Sequence, residues 1–205
     1  MPKANVYIVD DDFAMRDSVE LLLDAHGYET RAFRSGPEFL QSAQFLPHGC
    51  LLVDLRMPQM DGLELQEQLK LRKITFPLIV VTGHADVTTA VRAMRNGATD
   101  FVEKPFLDHT ILSSIEQALR CEPAMFRGEG RREAISQRIN MLSPREQEVM
   151  AKLVEGHSNK VTANSLGLSP RTVEIHRARV MEKMQARSLS ELVRLAITAG
   201  VGPDN

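Results

Sequence analysis

Five short β-branched or apolar runs punctuate the first 105 residues: Val6–Val9, Glu29–Phe33, Leu51–Asp54, Leu78–Thr82 and Asp100–Glu103. Runs of this length and type predict strands. The stretches between them carry helical spacing, most clearly Ser18–His26, where Val19, Leu22, Leu23 and His26 fall on one face. Asp86–Asn96 and Asp108–Arg120 read similarly, each opened by an aspartate of the kind that caps a helix N-terminus. Strands alternating with helices predict an α/β fold, a doubly wound parallel five-stranded sheet covered on both faces. In such folds the functional crevice lies at the carboxyl ends of the strands.

The pattern breaks at residues 121–130 (CEPAMFRGEG), where Pro123, Gly128 and Gly130 suit a linker. Arg131–Leu142 then predicts a helix with Ile135, Ile139 and Leu142 on one side, and from Ser143 onward only short helices are expected. The chain therefore divides into a first domain at 1–120, a partly helical linker at 121–141 and an all-α four-helix domain at 142–205.

An apolar share of 43% and a charged share of 25% are those of a globular protein. The apolar runs are strand-sized, too short to span a bilayer, and the N-terminus reaches acidic residues too early for a signal peptide. Cys50 and Cys121 lie far apart in no metal or disulfide pattern, which fits a reducing cytosol. Charge is unevenly shared. Residues 1–120 hold 12 Lys/Arg against 17 Asp/Glu, whereas residues 137–205 hold 10 against 7. The basic C-terminal part suits a polyanionic partner.

The predicted strand ends collect polar groups. Strand one runs into Asp10-Asp11-Asp12, strand three ends in Asp54, strand four in Thr82-Gly83, and strand five meets Lys104-Pro105. Clustered carboxylates suit Mg²⁺, which takes one or two of them with water and phosphate oxygens. A carboxylate can also attack phosphorus to give an aspartyl phosphate, while a metal, a hydroxyl and an ammonium neutralise the transferred group. Singly, Asp12 reads as a helix N-cap, Thr82 as a turn residue and Lys104 as a solvated charge. Their placement at four strand ends is what joins them.

The segments VYIVDDDFAMR, LLVDLRMPQMDG, VVTGHADV and GATDFVEKPF resemble the CheY-like receiver domains of two-component response regulators over about residues 1–120. The resemblance implies that Asp54 is the phosphoacceptor, and that Asp11, Asp54 and the backbone carbonyl of Arg56 hold Mg²⁺, with Asp10 acting through water. It implies phosphoryl contacts from Thr82 and Lys104, a switch role for Phe101, and a cis bond at Lys104-Pro105. Haloacid-dehalogenase-type phosphatases also place an Asp-x-Asp after strand one, which Asp10-Asp11-Asp12 satisfies. That alternative leaves Asp54 unused, sets Ala14 where Thr or Val is preferred, and lacks the later paired acids.

In the C-terminal part, LSPREQEVMAKLVE opens with Ser143 as cap, Pro144 at the first helical position and Glu146 completing a capping box. Val149, Met150 and Leu153 make its inner face, and Gly156 stops it. Asn159–Leu166, ended by Gly167, predicts a second helix. Ser169-Pro170 starts a third, Arg171–Gln185, with Val173, Val180 and Met184 inward, and Ser188-Leu189-Ser190-Glu191 caps a fourth. Short helix, glycine turn and longer basic helix is the helix-turn-helix order, although charge alone would also fit a solvated helix of a small bundle.

LSPREQEVMAKLVEGHSNK and LSPRTVEIHRARVMEKMQARSLSELVRLA resemble the LuxR/FixJ-type output domain over residues 140–200, so the whole chain is similar to a FixJ-type regulator. By position, Glu174, Ile175 and Ala178 would face base edges, and Arg171, Thr172, Arg177, Arg179, Lys183, Asn159 and Lys160 mostly phosphates. One departure stands out. Where this family has an acidic residue and then Ile, this chain has Val161 and Thr162, and a threonine in an Ile-shaped core site buries a hydroxyl. The resemblance implies a cytoplasmic transcription regulator fed phosphoryl groups by a sensor histidine kinase. Its own chemistry would be confined to self-phosphorylation and slow autodephosphorylation at Asp54. Operator DNA, RNA polymerase and a second copy of the chain, paired on phosphorylation, are the further partners implied.

Overall fold

The computed structural model describes residues 3–83, 87–120 and 129–201. The expected cap Asp86, and Cys121, Pro123 and Gly128 of the expected linker, lie outside the described residues. Two compact units are formed, one from Met1–Asp86 with Asn96–Glu122, the other from Val87–Arg95 with Pro123–Asn205.

In the first unit the five strands are β1 (Asn5–Val9), β2 (Glu29–Phe33), β3 (Gly49–Asp54), β4 (Leu78–Gly83) and β5 (Asp100–Lys104), all parallel in the order β2-β1-β3-β4-β5. Every residue of the central β3 is buried, whereas the edge strand β2 keeps Glu29 and Arg31 exposed, as charged side chains on an edge strand commonly are. The helices of this unit are α1 (Phe13–Ala25), α2 (Gly36–Ser42), α3 (Gly62–Leu71) and α5 (Asp108–Arg120); α4 (Val87–Arg95) groups with the second unit. Val6, Ile8, Cys50, Leu52, Ile79 and Val81 pack with Val19 and Leu23 of α1 and Ile111 and Ile115 of α5. Alternation along the strands sends Tyr7 to the opposite face, into an aromatic cluster with Phe33, Phe39 and Phe76 whose closest ring pair lies 5.1 Å apart. Because the chain leaves β1 toward β2 on one side and reaches β3 on the other, the β1/β3 carboxyl ends form the switch point where such sheets open a crevice.

In the second unit α6 (Glu129–Asn140) precedes α7 (Pro144–Val154), α8 (Asn159–Leu166), α9 (Pro170–Met184) and α10 (Leu189–Ala199). Ser143 and Glu146 form the expected capping box, and Ser158, Ser169 and Ser188 cap the next three helices through their side chains. Gly167 ends α8 at φ +66°, a left-handed conformation that glycine adopts without steric cost and that turns the chain toward α9. The inner-face residues Val149, Met150, Leu153, Val173, Val180 and Met184 meet in one core with Ile135 and Leu142. The expected helix at Arg131–Leu142 thus starts two residues earlier and stops at Asn140.

Candidate functional site

The β1/β3 crevice gathers residues separated by up to 94 positions in the chain. Asp10 follows β1 and is 4% exposed, Asp54 ends β3 at 8%, and Thr82 lies near the end of β4 at 1%. From the edge of the sheet the Lys104 Nζ donates to Asp10 Oδ2 at 2.8 Å and to Asp54 Oδ1 at 2.7 Å. The other Asp54 oxygen, Oδ2, accepts the Arg56 backbone N–H at 2.7 Å, and Asp10 Oδ1 accepts that of Asp12 at 2.8 Å. Each buried carboxylate is thereby hydrogen-bonded through both oxygens, as burial of charge requires.

Beneath these groups lie Ile8, Leu52, Val81, Phe106 and Ile111. Burial against such side chains disfavours the charged carboxylate and holds Asp54 above the usual aspartate range. The bond to Lys104 and its charge, with the Arg56 amide, pull the other way, and repulsion from Asp10 adds to the rise. For Lys104, burial acts to lower the ammonium pKa, but the bonds to Asp10 and Asp54 outweigh it and hold the amine above its ordinary value. The lysine is firmly charged.

A close backbone approach completes the pocket. Gly62 opens α3 with its N–H on the Leu55 carbonyl, and a Cβ there would stand 2.6 Å from the Asp54 carbonyl oxygen. Any side chain at 62 would push α3 away from the strand that carries Asp54.

Asp11 is exposed at the rim, Phe101 is half-buried in β5, and the Lys104-Pro105 bond is cis. Asp12 caps α1, accepting from the Ala14 and Met15 amides, which spends the residue that the phosphatase alternative needs as its second acid. The Thr82 hydroxyl points to the Gly83 carbonyl at 3.4 Å. Among the described residues no group of three or more His, Cys, Asp or Glu stands close enough to hold a metal. Two buried carboxylates with an exposed third nearby nonetheless fit an ion that takes few protein ligands and keeps its water. One neighbour escapes any sequence pattern: Arg16 Nη1 donates to the main-chain carbonyl of Asp10 at 2.7 Å.

In the second unit the outer face of α9 exposes Arg171, Glu174, Ile175, Ala178 and Arg179 together, while Thr172 and Arg177 are half-buried. Ile175 is 48% exposed on that face, and Val161 on α8 is 47% exposed. Arg177 donates to the Asn159 side-chain oxygen at 3.3 Å, tying the middle of α9 to the start of α8, where Lys160 is exposed. Lys183, expected to meet a phosphate, is bonded inside the bundle in the DNA-free chain. Its Nζ donates to Glu146 at 2.6 Å and to the Met141 carbonyl at 3.3 Å, so its amine already has partners within the bundle. Glu146, buried in α7, takes this bond and the Ser143 amide, which hold its carboxyl down at about 2. Thr162 is fully buried, and its hydroxyl has no hydrogen-bond partner among the described residues.

A switch-point crevice with a carboxylate–ammonium cluster in one unit, and a capped helix-turn-helix bundle in the other, define a receiver module and a DNA-binding module in one chain. Residues 6–116 match the response regulator receiver domain family, and residues 140–196 match the bacterial regulatory proteins of the luxR family. The chain belongs to the two-component response regulators, and it acts as a transcription regulator.

Within that family it is of the FixJ type. It is 48% identical to the transcriptional regulatory protein FixJ of Bradyrhizobium diazoefficiens over 97% of both chains, and 44% identical to that of Rhizobium meliloti over 99% of this chain and 100% of the relative. Full-length FixJ from B. japonicum in its crystal structure superposes with a TM-score of 0.59 at 48% identity, covering 98% of each chain. A receiver with a DNA-binding output implies a sensor kinase and DNA as partners. No helix among the described residues is long and apolar enough to cross a membrane.

Proposed function

We propose that Asp54 accepts a phosphoryl group from a sensor histidine kinase and that this step controls DNA binding by α8 and α9. The observation that carries the reading is the Lys104 ammonium bonded to both Asp10 and Asp54 at the sheet's switch point. An Asp54 carboxylate oxygen attacks phosphorus, the bond from phosphorus to the donor nitrogen breaks, and the donor histidine leaves with the electron pair. Lys104 and Thr82 then neutralise the equatorial oxygens. Asp10, Asp11, Asp54 and the Arg56 carbonyl are the residues that would hold Mg²⁺, which when bound supplies positive charge against the transferred phosphoryl. Slow hydrolysis of the acyl phosphate resets the site.

In this reading residues 1–120 are the receiver, 121–141 the linker and 142–205 the output domain, in a cytoplasmic protein that works beside RNA polymerase. The phosphoryl group adds roughly two negative charges, toward which Thr82 moves while Phe101 turns inward. Paired receivers then present two output domains to two half-sites. The second engages at millimolar effective concentration, a gain of about 10²–10⁴-fold without new contacts. Glu174, Ile175 and Ala178 meet base edges, with Arg171, Thr172, Arg177, Arg179, Asn159 and Lys160 on phosphates. Light scattering with DNA titration on the phosphorylated and unphosphorylated chains tests this. Dimerisation on phosphorylation with parallel tightening on DNA is expected; a phosphorylated monomer with full affinity would contradict the dimer mechanism.

A further inference from the structure

Asp11 lies between two residues whose positions are pinned. Asp10 Oδ1 accepts the Asp12 amide, and Asp12 Oδ1 accepts the Ala14 amide at 2.9 Å. The Arg16 amide reaches back to the Asp12 carbonyl at 3.1 Å, and the Arg16 guanidinium closes the loop by donating to the Asp10 carbonyl at 2.7 Å. The guanidinium also lies 5.7 Å from the ring centroid of the exposed Phe13. Arginine suits this position better than lysine, because a planar fork can bond a carbonyl while its face rests on a ring.

We propose that Arg16 is a positioning residue for phosphoryl acceptance, holding the β1–α1 turn in the form that presents Asp11 to a divalent cation. The proposal rests on the reading of this pocket as a Mg²⁺-dependent phosphoacceptor. Arg16 touches neither reacting oxygen of Asp54; it acts through the main chain of Asp10. Groups that orient metal ligands from behind set affinity for the ion, and their loss weakens binding by about tenfold or more.

The test is an NMR-monitored Mg²⁺ titration of the full chain, with metal-free thermal unfolding and acetyl phosphate labelling as companion readings. Arg16→Met, which keeps an apolar stem against Phe13, should weaken Mg²⁺ binding about tenfold and leave metal-free unfolding nearly unchanged. Its labelling rate at saturating Mg²⁺ should return to within about twofold of wild type, since the reacting groups are untouched. Arg16→Lys, which can still donate to the Asp10 carbonyl, should recover part of the affinity. Unchanged Mg²⁺ affinity with a lowered unfolding temperature would overturn the proposal in favour of a plain tie between α1 and the sheet. Tighter Mg²⁺ binding would overturn it in favour of simple charge repulsion. Failure of the wild-type chain to take up Mg²⁺ would instead overturn the pocket reading underneath.

Discussion

The Nζ of Lys104 stands 2.7 Å from Oδ1 of Asp54, and the same amine reaches Asp10, so one cation separates two buried carboxylates. Without it, two negative groups would face each other in an apolar crevice. Lys104→Met should raise the Asp54 carboxyl pKa further and cost about 3 kcal/mol of stability at neutral pH. A carboxyl whose folded pKa lies above its unfolded value destabilises the fold where it is charged. The loss should therefore shrink on acidification through that pKa. Denaturant unfolding at neutral pH and at successively lower pH checks this; a loss that stays constant on acidification would contradict it.

Glu146 shows the opposite sign. Its folded pKa, about 2 against an ordinary 4.5, is depressed by Lys183 and the Ser143 amide. Its contribution is present above pH 4.5 and is lost as pH falls toward 2. Glu146→Gln should flatten the acid limb of unfolding across that window for the cooperative unit that contains α7. A mutant limb as steep as that of the wild type would show that Glu146 is not the titrating group.

The same ion pair separates Lys183 from the basic residues around it. Because its amine is held by Glu146, Lys183→Gln should leave the salt dependence of DNA binding nearly unchanged while lowering stability. Arg171→Gln and Arg179→Gln, on exposed side chains, should each reduce the salt slope by about one. Affinity measured between 50 and about 200 mM salt decides. A slope reduced equally by Lys183→Gln would return that amine to the phosphate backbone.

Thr162 carries a buried hydroxyl with no hydrogen-bond partner among the described residues. Thr162→Val keeps the shape and removes the polar atom, and should stabilise the chain by about 1 kcal/mol. Thermal unfolding reads the shift, and a destabilised variant would mean the hydroxyl is satisfied in solution.

Strands were legible because a parallel sheet buried on both faces writes continuous apolar runs, and Leu51–Asp54 is the clearest. Asp108–Arg120 emerges with the predicted bounds, but Asp108 is its first residue rather than its cap. The sequence pattern did not single out α2 and α3. The first is short and opens on Gly36-Pro37, and the second mixes buried Leu63, Leu65 and Leu69 with buried Gln66, so its apolar face is broken. The carboxylate pocket was legible because strand ends bring distant residues together by topology. The Arg16–Asp10, Arg177–Asn159 and Lys183–Glu146 bonds were not, since a long side chain choosing among partners leaves no periodic trace.

The measurement closest to the central claim is the intact mass of the chain after incubation with acetyl phosphate and Mg²⁺. The wild type should gain one phosphoryl group and lose it again slowly on standing. Asp54→Asn should gain none, because an amide oxygen is a poor nucleophile, and Asp11→Ala should gain it only at Mg²⁺ concentrations raised about tenfold or more. Phosphoryl uptake that survives in Asp54→Asn but vanishes in Asp10→Asn would contradict the account, moving the nucleophile from the end of β3 to the end of β1.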